Sequence, residues 1–163
     1  MDLSLALSSG HQGGYMTQRL GDLFQEIKDR IAKVRGLTND EDVEPDDRIK
    51  IHNRAFLLFS LDCLLDEYRT KNASLYSALR GRDALHHLLL KKYGWTLYEI
   101  RSLTLADSLF AIQDELVFDK LPQAVQSYLR DNQWDKFNST FDDLTDQEWD
   151  PMLGNGHFDL TQR

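Results

Sequence analysis

Apolar side chains recur three and four positions apart from residue 20 onward. Leu20, Leu23, Phe24, Ile27, Ile31 and Val34 form one stripe, and Gln18, Asp22, Gln25, Lys28, Asp29 and Lys33 occupy the opposite side. This 3.6-residue period predicts a helix from about Thr17 to Arg35. Thr17 is suited to cap its start and Gly36 to take the left-handed turn at its end. A second helix is expected after Pro45, reaching Tyr68 or Arg69, because proline suits a first helical turn and Asp46 and Asp47 suit the positive end of the helix dipole. Its middle, Ala55-Phe56-Leu57-Leu58-Phe59, is apolar nearly all round, which marks a helix buried by neighbours on several sides. Cys63, inside it, reads as a small buried hydrophobe.

Beyond residue 72 the pattern shortens. Leu75, Ala78, Leu79, Leu85, Leu88 and Leu89 predict a third helix over Ser74–Tyr93, weakened or kinked at Gly81 and ended by Gly94. Thr96 with Glu99 forms a capping box, and Thr104 with Asp107 a shorter-armed version. They predict a short helix at 97–102, a sharp turn, and a helix from 105 to about 118 with Leu105, Leu109, Ile112 and Leu116 inward. Pro122 opens a fifth segment, 122–131, with Val125, Tyr128 and Leu129 facing the core. Trp134, Phe137 and Phe141 fit one more helix, whereas turns and loop are expected after Thr145 through Gly154-Asn155-Gly156. No stretch shows sustained period-two alternation. The fold class expected is therefore all-α, a compact bundle of five to seven helices. Residues 1–15, small, polar and glycine-rich, are read as a flexible arm, 16–131 as the bundle, and 132–163 as an acidic aromatic tail, docked on the bundle or binding a partner.

Composition narrows the class. A chain of 163 residues with 41% hydrophobic and 28% charged side chains can enclose one core. Its single cysteine cannot build a disulfide framework. The most apolar window, Ala55 to Leu65, is interrupted by Asp62 and is too short to cross a membrane. No basic leader precedes the short apolar start, so a soluble cytoplasmic protein is expected. The net charge of −8 is uneven: residues 1–130 hold 17 basic and 19 acidic side chains, residues 131–162 one basic and eight acidic. A second acidic run, 39–47, reads as a solvated loop leading into a helix, or as an anionic patch for a basic partner.

Signatures of chemistry are sparse. There is no phosphate-binding glycine loop, GxSxG, HExxH or paired CxxC. Asp142-Asp143-Leu144-Thr145-Asp146 lacks the alternating acids and central glycine of a calcium loop. His86 and His87 diverge by about 100° on a helix, so with Cys63 they make a poor metal site, and neither a metal nor a cofactor is expected. A DNA-reading helix from Leu105 would offer Asp107, Asp114 and Glu115 to the phosphates and no base before Lys120.

Two resemblances bear on function. Arg82-Asp83-Ala84-Leu85-His86-His87 resembles the R-x4-H motif of HEPN-domain ribonucleases, which are small helical bundles. The resemblance implies metal-independent RNA cleavage, with His87 moving a proton and Arg82 stabilising the phosphate, usually across a dimer. Read as residues alone, Arg82 and His87 point about 140° apart on a straight helix, and Asp83 and His87 form an i,i+4 surface pair. The segment Gly94–Asp107 looks like small helical phage tail-assembly chaperones, and equally like two capped helices with Trp95 packed on the core. The leading expectation is a non-enzymatic protein-interaction factor: an adaptor, inhibitor or chaperone-like protein. Trp134, Phe137, Phe141 and Trp149 would contact the partner, with Asp142, Asp143 and the neighbouring acids giving charge complementarity. A homodimer is compatible with either reading.

Overall fold

The computed structural model describes residues 9–39 and 41–159, which contain seven α-helices and no strand. The helices are α1 (Ser9–Val34), α2 (Pro45–Asn72), α3 (Asp83–Tyr93), α4 (Leu97–Ser102), α5 (Leu105–Ala111), α6 (Gln123–Asp131) and α7 (Pro151–Asp159). Two single 3-10 turns, Phe118–Lys120 and Asp146–Glu148, lie between them. The all-α bundle expected from the periodicity is present.

Helix α2 is the central element. Ile51, Phe56, Phe59, Leu61 and Leu65 are buried on different sides of it, because α1, α3, α6 and α7 all pack against it. Helix α1 lies along α2 and buries Leu20, Leu23, Phe24, Ile27 and Ile31 there, while Val34 is exposed. Phe24, Phe56, Phe59 and Tyr128 form an aromatic cluster in offset and edge-on pairs that joins α1, α2 and α6. Cys63 is buried, and burial pushes its thiol well above the usual range.

Several local signals read as expected. Thr96 and Glu99 close the capping box at α4. Thr104 accepts the Asp107 N–H at α5. Gly36 and Gly94 end their helices at φ +69° and +67°.

Other boundaries are corrected. The arm expected over residues 1–15 lies outside the described residues up to residue 8, and the chain is helical from Ser9. Thr17 therefore sits inside α1 and bonds back to the Gly13 carbonyl instead of capping. The third helix starts at Asp83, not at Ser74. Residues 73–82 form turns, because the Arg69 guanidinium takes the Leu79 and Gly81 carbonyls out of helical pairing. Helix α5 ends at Ala111 and gives way to turns. The helix expected around Trp134, Phe137 and Phe141 is absent: the 137 and 139 carbonyls accept from Asn53 of α2, and Arg54 takes those of 141 and 143. Of the turns and loop expected after Thr145, residues 146–150 are a 3-10 turn and loop, whereas Pro151–Asp159 is instead helix α7.

Candidate interaction surface

The tail proposed to face a partner is bound into the bundle by charges that sequence periodicity does not reveal. Glu148 is 1% exposed. It accepts hydrogen bonds from Arg35, in the turn just past α1, and from Arg54 of α2, at 2.9 Å to each, and from the Thr145 N–H. Burial opposes its charge, but these donors and the two guanidinium charges hold the Glu148 carboxyl below its usual range. The same arginines bind the chain around it. Arg35 and Arg54 donate to the Asp143 carbonyl, and Arg35 pairs with the Asp143 carboxylate. A polar constellation thus lies inside the bundle, and these groups are used in holding the chain together.

The expected contact residues are distributed accordingly. Trp149 is 3% exposed and belongs to the core. Phe141 lies beneath the Arg35 guanidinium, 3.8 Å from ring centroid to carbon. Trp134 stacks on Phe118 at 5.3 Å, partly open to solvent. Phe137 is half exposed and stands between two clefts of about 600 and 400 Å³ that share Asn53. Asp142 is exposed, and Asp143 is exposed but paired with Arg35.

Arg82 and His87 do not converge within one chain. The Arg82 guanidinium sits 5.1 Å over the Trp149 ring. His87 Nδ1 is 2.6 Å from the Tyr68 hydroxyl, on the side of α3 that meets α2. Among the described residues no group of three or more His, Cys, Asp or Glu side chains could hold a metal ion. No helix among them is long and apolar enough to cross a membrane.

The most exposed apolar side chains lie where α2 stops. Leu75 is 94% exposed and Tyr76 is 96% exposed. Both stand at the tip of a closed turn in which the Ser74 and Ser77 backbones exchange hydrogen bonds of 2.8 and 3.2 Å. Ser74 Oγ accepts from the Tyr76 and Ser77 N–H groups. The base of this turn is equally determined. Buried Arg69 donates from Nε to the Leu79 carbonyl at 2.7 Å and from a terminal nitrogen to the Gly81 carbonyl at 3.0 Å. These bonds hold Leu79 at φ +50°, a conformation that costs a side-chain-bearing residue about 1–2 kcal/mol.

Lys91 of α3 donates to Asn72, so the last turn of α3 lies beside the last turn of α2. Just beyond it, Tyr93 and Trp95 stack at 4.3 Å and both are exposed, Tyr93 donating its hydroxyl to the Ala111 carbonyl. Trp95 was expected to pack on the core; it packs on Tyr93. Exposed Leu97, Tyr98 and Phe110 follow on α4 and α5. The stretch 69–92 carries six basic side chains and one acid, in a chain of net charge −8. Leu75 matches a helical stripe by its spacing, yet it stands in the turn and is exposed. The serines on either side of Leu75-Tyr76 and the Arg80-Gly81-Arg82 run were the available signs of a turn.

Comparison of the chain with protein-family models, with curated proteins and with solved structures finds no match.

Proposed function

We propose that this chain is a non-enzymatic protein-interaction factor, an adaptor, inhibitor or chaperone-like protein, which binds another protein with the end of the bundle where α2 stops. The observation that supports this most is the Leu75–Tyr76 turn. Two large apolar side chains are held almost wholly in water by a turn whose own hydrogen bonds are satisfied. Preorganised apolar and aromatic anchors of this kind lose little entropy on binding and often dominate interface energy. Tyr93 and Trp95 extend the face. The basic stretch around it favours a partner whose apolar pocket has an acidic rim. In the aromatic tail Trp149, Phe141 and Glu148 are engaged by the bundle, which favours the Leu75–Tyr76 end over the tail as the contact face. A cytoplasmic setting, with Cys63 reduced and buried, belongs to the same reading.

The test uses the full chain. A double variant, Leu75→Ser with Tyr76→Ser, should abolish saturable binding of a purified partner while the melting temperature stays unchanged. Phe137→Ala should leave binding intact. Full binding by the double variant overturns the assignment, and loss with Phe137→Ala alone moves the face to the tail. RNA cleavage without metal, lost in both Arg82→Ala and His87→Ala, would replace the reading with a ribonuclease.

A further inference from the structure

Helix α7 touches the base of the Leu75–Tyr76 turn and meets α2 at a buried acid. Asp62 is 3% exposed. Its Oδ1 accepts the Trp149 indole N–H at 2.9 Å, and its Oδ2 has no hydrogen-bond partner among the described residues. The carboxyl is pressed against the α7 backbone: a Cβ on Gly154 would stand 2.6 Å from Asp62 Cγ. The next residue, Asn155, is buried and accepts the Gly81 N–H on its Oδ1 at 2.8 Å. Gly81 is the same residue whose carbonyl Arg69 holds from the other side. Met152 Sδ stands 2.8 Å from the Cβ position of Gly81, so α7 leans directly on this backbone.

We infer that α7 is a releasable latch on the 79–82 backbone: it stays seated while Asp62 is protonated and lifts, giving up the Asn155–Gly81 bond, when Asp62 ionises. The neutral carboxyl tolerates a dry site with one donor, whereas a carboxylate with an orphan oxygen against a helix backbone does not. Burial pushes the Asp62 carboxyl up to about 7, against the pull of the Trp149 hydrogen bond and of Arg69 and with the push of Asp150. Both forms are thus populated near neutral pH. Cys63 beside it is neutral, with Asp66 one turn further along α2. Arg82 lies on the far partner, the Trp149 ring. Helix α7 also meets α1 through His157 and Glu26, at 3.2 Å. That the latch regulates partner binding rests on the contact face proposed above; the latch itself does not.

Hydrogen exchange on the full chain at about pH 6 and about pH 8.5, corrected for the intrinsic rate, is the test. Protection of the α7 amides and of the Gly81 N–H should fall at least tenfold at the higher pH, while the α1 and α2 core stays protected. Asp62→Asn should abolish the difference and His157→Gln should keep it. Carbon NMR of the Asp62 carboxyl in the unsubstituted protein should give a midpoint coinciding with the loss of α7 protection. Unchanged α7 protection, joint loss from α1 and α2, or a titration that does not track α7 would each overturn the latch. None of these readouts involves a partner, so a failed latch and a failed contact face are told apart.

Discussion

Trp149 donates its indole N–H to Asp62 across 2.9 Å, joining side chains 87 positions apart in the chain. With the Glu148 contacts one residue earlier, this makes the C-terminal segment part of the core. Truncation near Asn132 should cost the cooperative unfolding transition followed by circular dichroism. Trp149→Ala should destabilise by about 3–5 kcal/mol, the range for deleting a large buried aromatic. A truncated chain that melts like the intact one would refute both expectations.

Glu148 contributes to the acid limb of the stability curve as the buried member of the lowered carboxyls. Its carboxyl is held below the ordinary value, so its contribution is present above the unfolded value near 4.3 and is lost as pH falls through the lower folded value. Glu148→Gln leaves two guanidinium groups facing a neutral amide and should cost about 3 kcal/mol or more at pH 7. Urea midpoints at about pH 7 and about pH 3 should differ less in this variant than in the parent.

Asp62 acts in the opposite sense. Its folded value, about 7, lies above the ordinary 3.8, so the native state holds a proton that the unfolded chain releases. Its contribution is intact below about pH 4, declines as pH rises, and is lost above about 7. Asp62→Asn should flatten this slope and be the more stable form at about pH 8. An unchanged slope between pH 5 and 8 would be incompatible with the buried acid.

Two glycines of one short helix should respond differently to alanine. A Cβ at Gly154 would overlap Asp62, and an acid clamped by Trp149 cannot retreat, so Gly154→Ala should destabilise by more than about 2 kcal/mol. A Cβ at Gly156 meets nothing within 4 Å. Gly156→Ala should stabilise α7 by roughly 0.5–1 kcal/mol through helix propensity. Equal melting shifts in the two variants would contradict the packing.

Arg69 should matter to the turn more than to the bundle. Arg69→Met keeps the buried stem and removes both carbonyl bonds at Leu79 and Gly81. Amide exchange in residues 74–82 should rise at least tenfold, with that of the α1–α2 core unchanged. Leu75→Ser and Tyr76→Ser should instead leave stability within about 0.5 kcal/mol, since their side chains contact almost nothing. A large melting shift in the serine variants would mean that the turn is covered in solution.

What could be read before any coordinates was the part written in local rules. The stripe of α1, the all-round apolar middle of α2, the Thr96–Glu99 box and the glycine ends at 36 and 94 depend on neighbours within a few residues. The third segment misled because Leu75 and Leu79 match a helical period, while the competing hydrogen bonds come from Arg69. The tail misled for a related reason: Trp134, Phe137 and Phe141 have helical spacing, but the carbonyls of Phe137 and Phe141 are claimed by Asn53 and Arg54, more than 80 positions earlier.

Sequence alone thus determined the helical class, the central role of α2 and most caps, because periodicity and capping are short-range physics. Tertiary structure alone decided which aromatics are inside. Whether a tryptophan sits inside depends on distant side chains that pack its ring and on a distant partner for its indole N–H, and Trp149 finds both the core and Asp62. The candidate face at Leu75 and Tyr76 is likewise a product of contacts made elsewhere: Arg69 and Asn155 hold its base, and the side chains they display touch almost nothing.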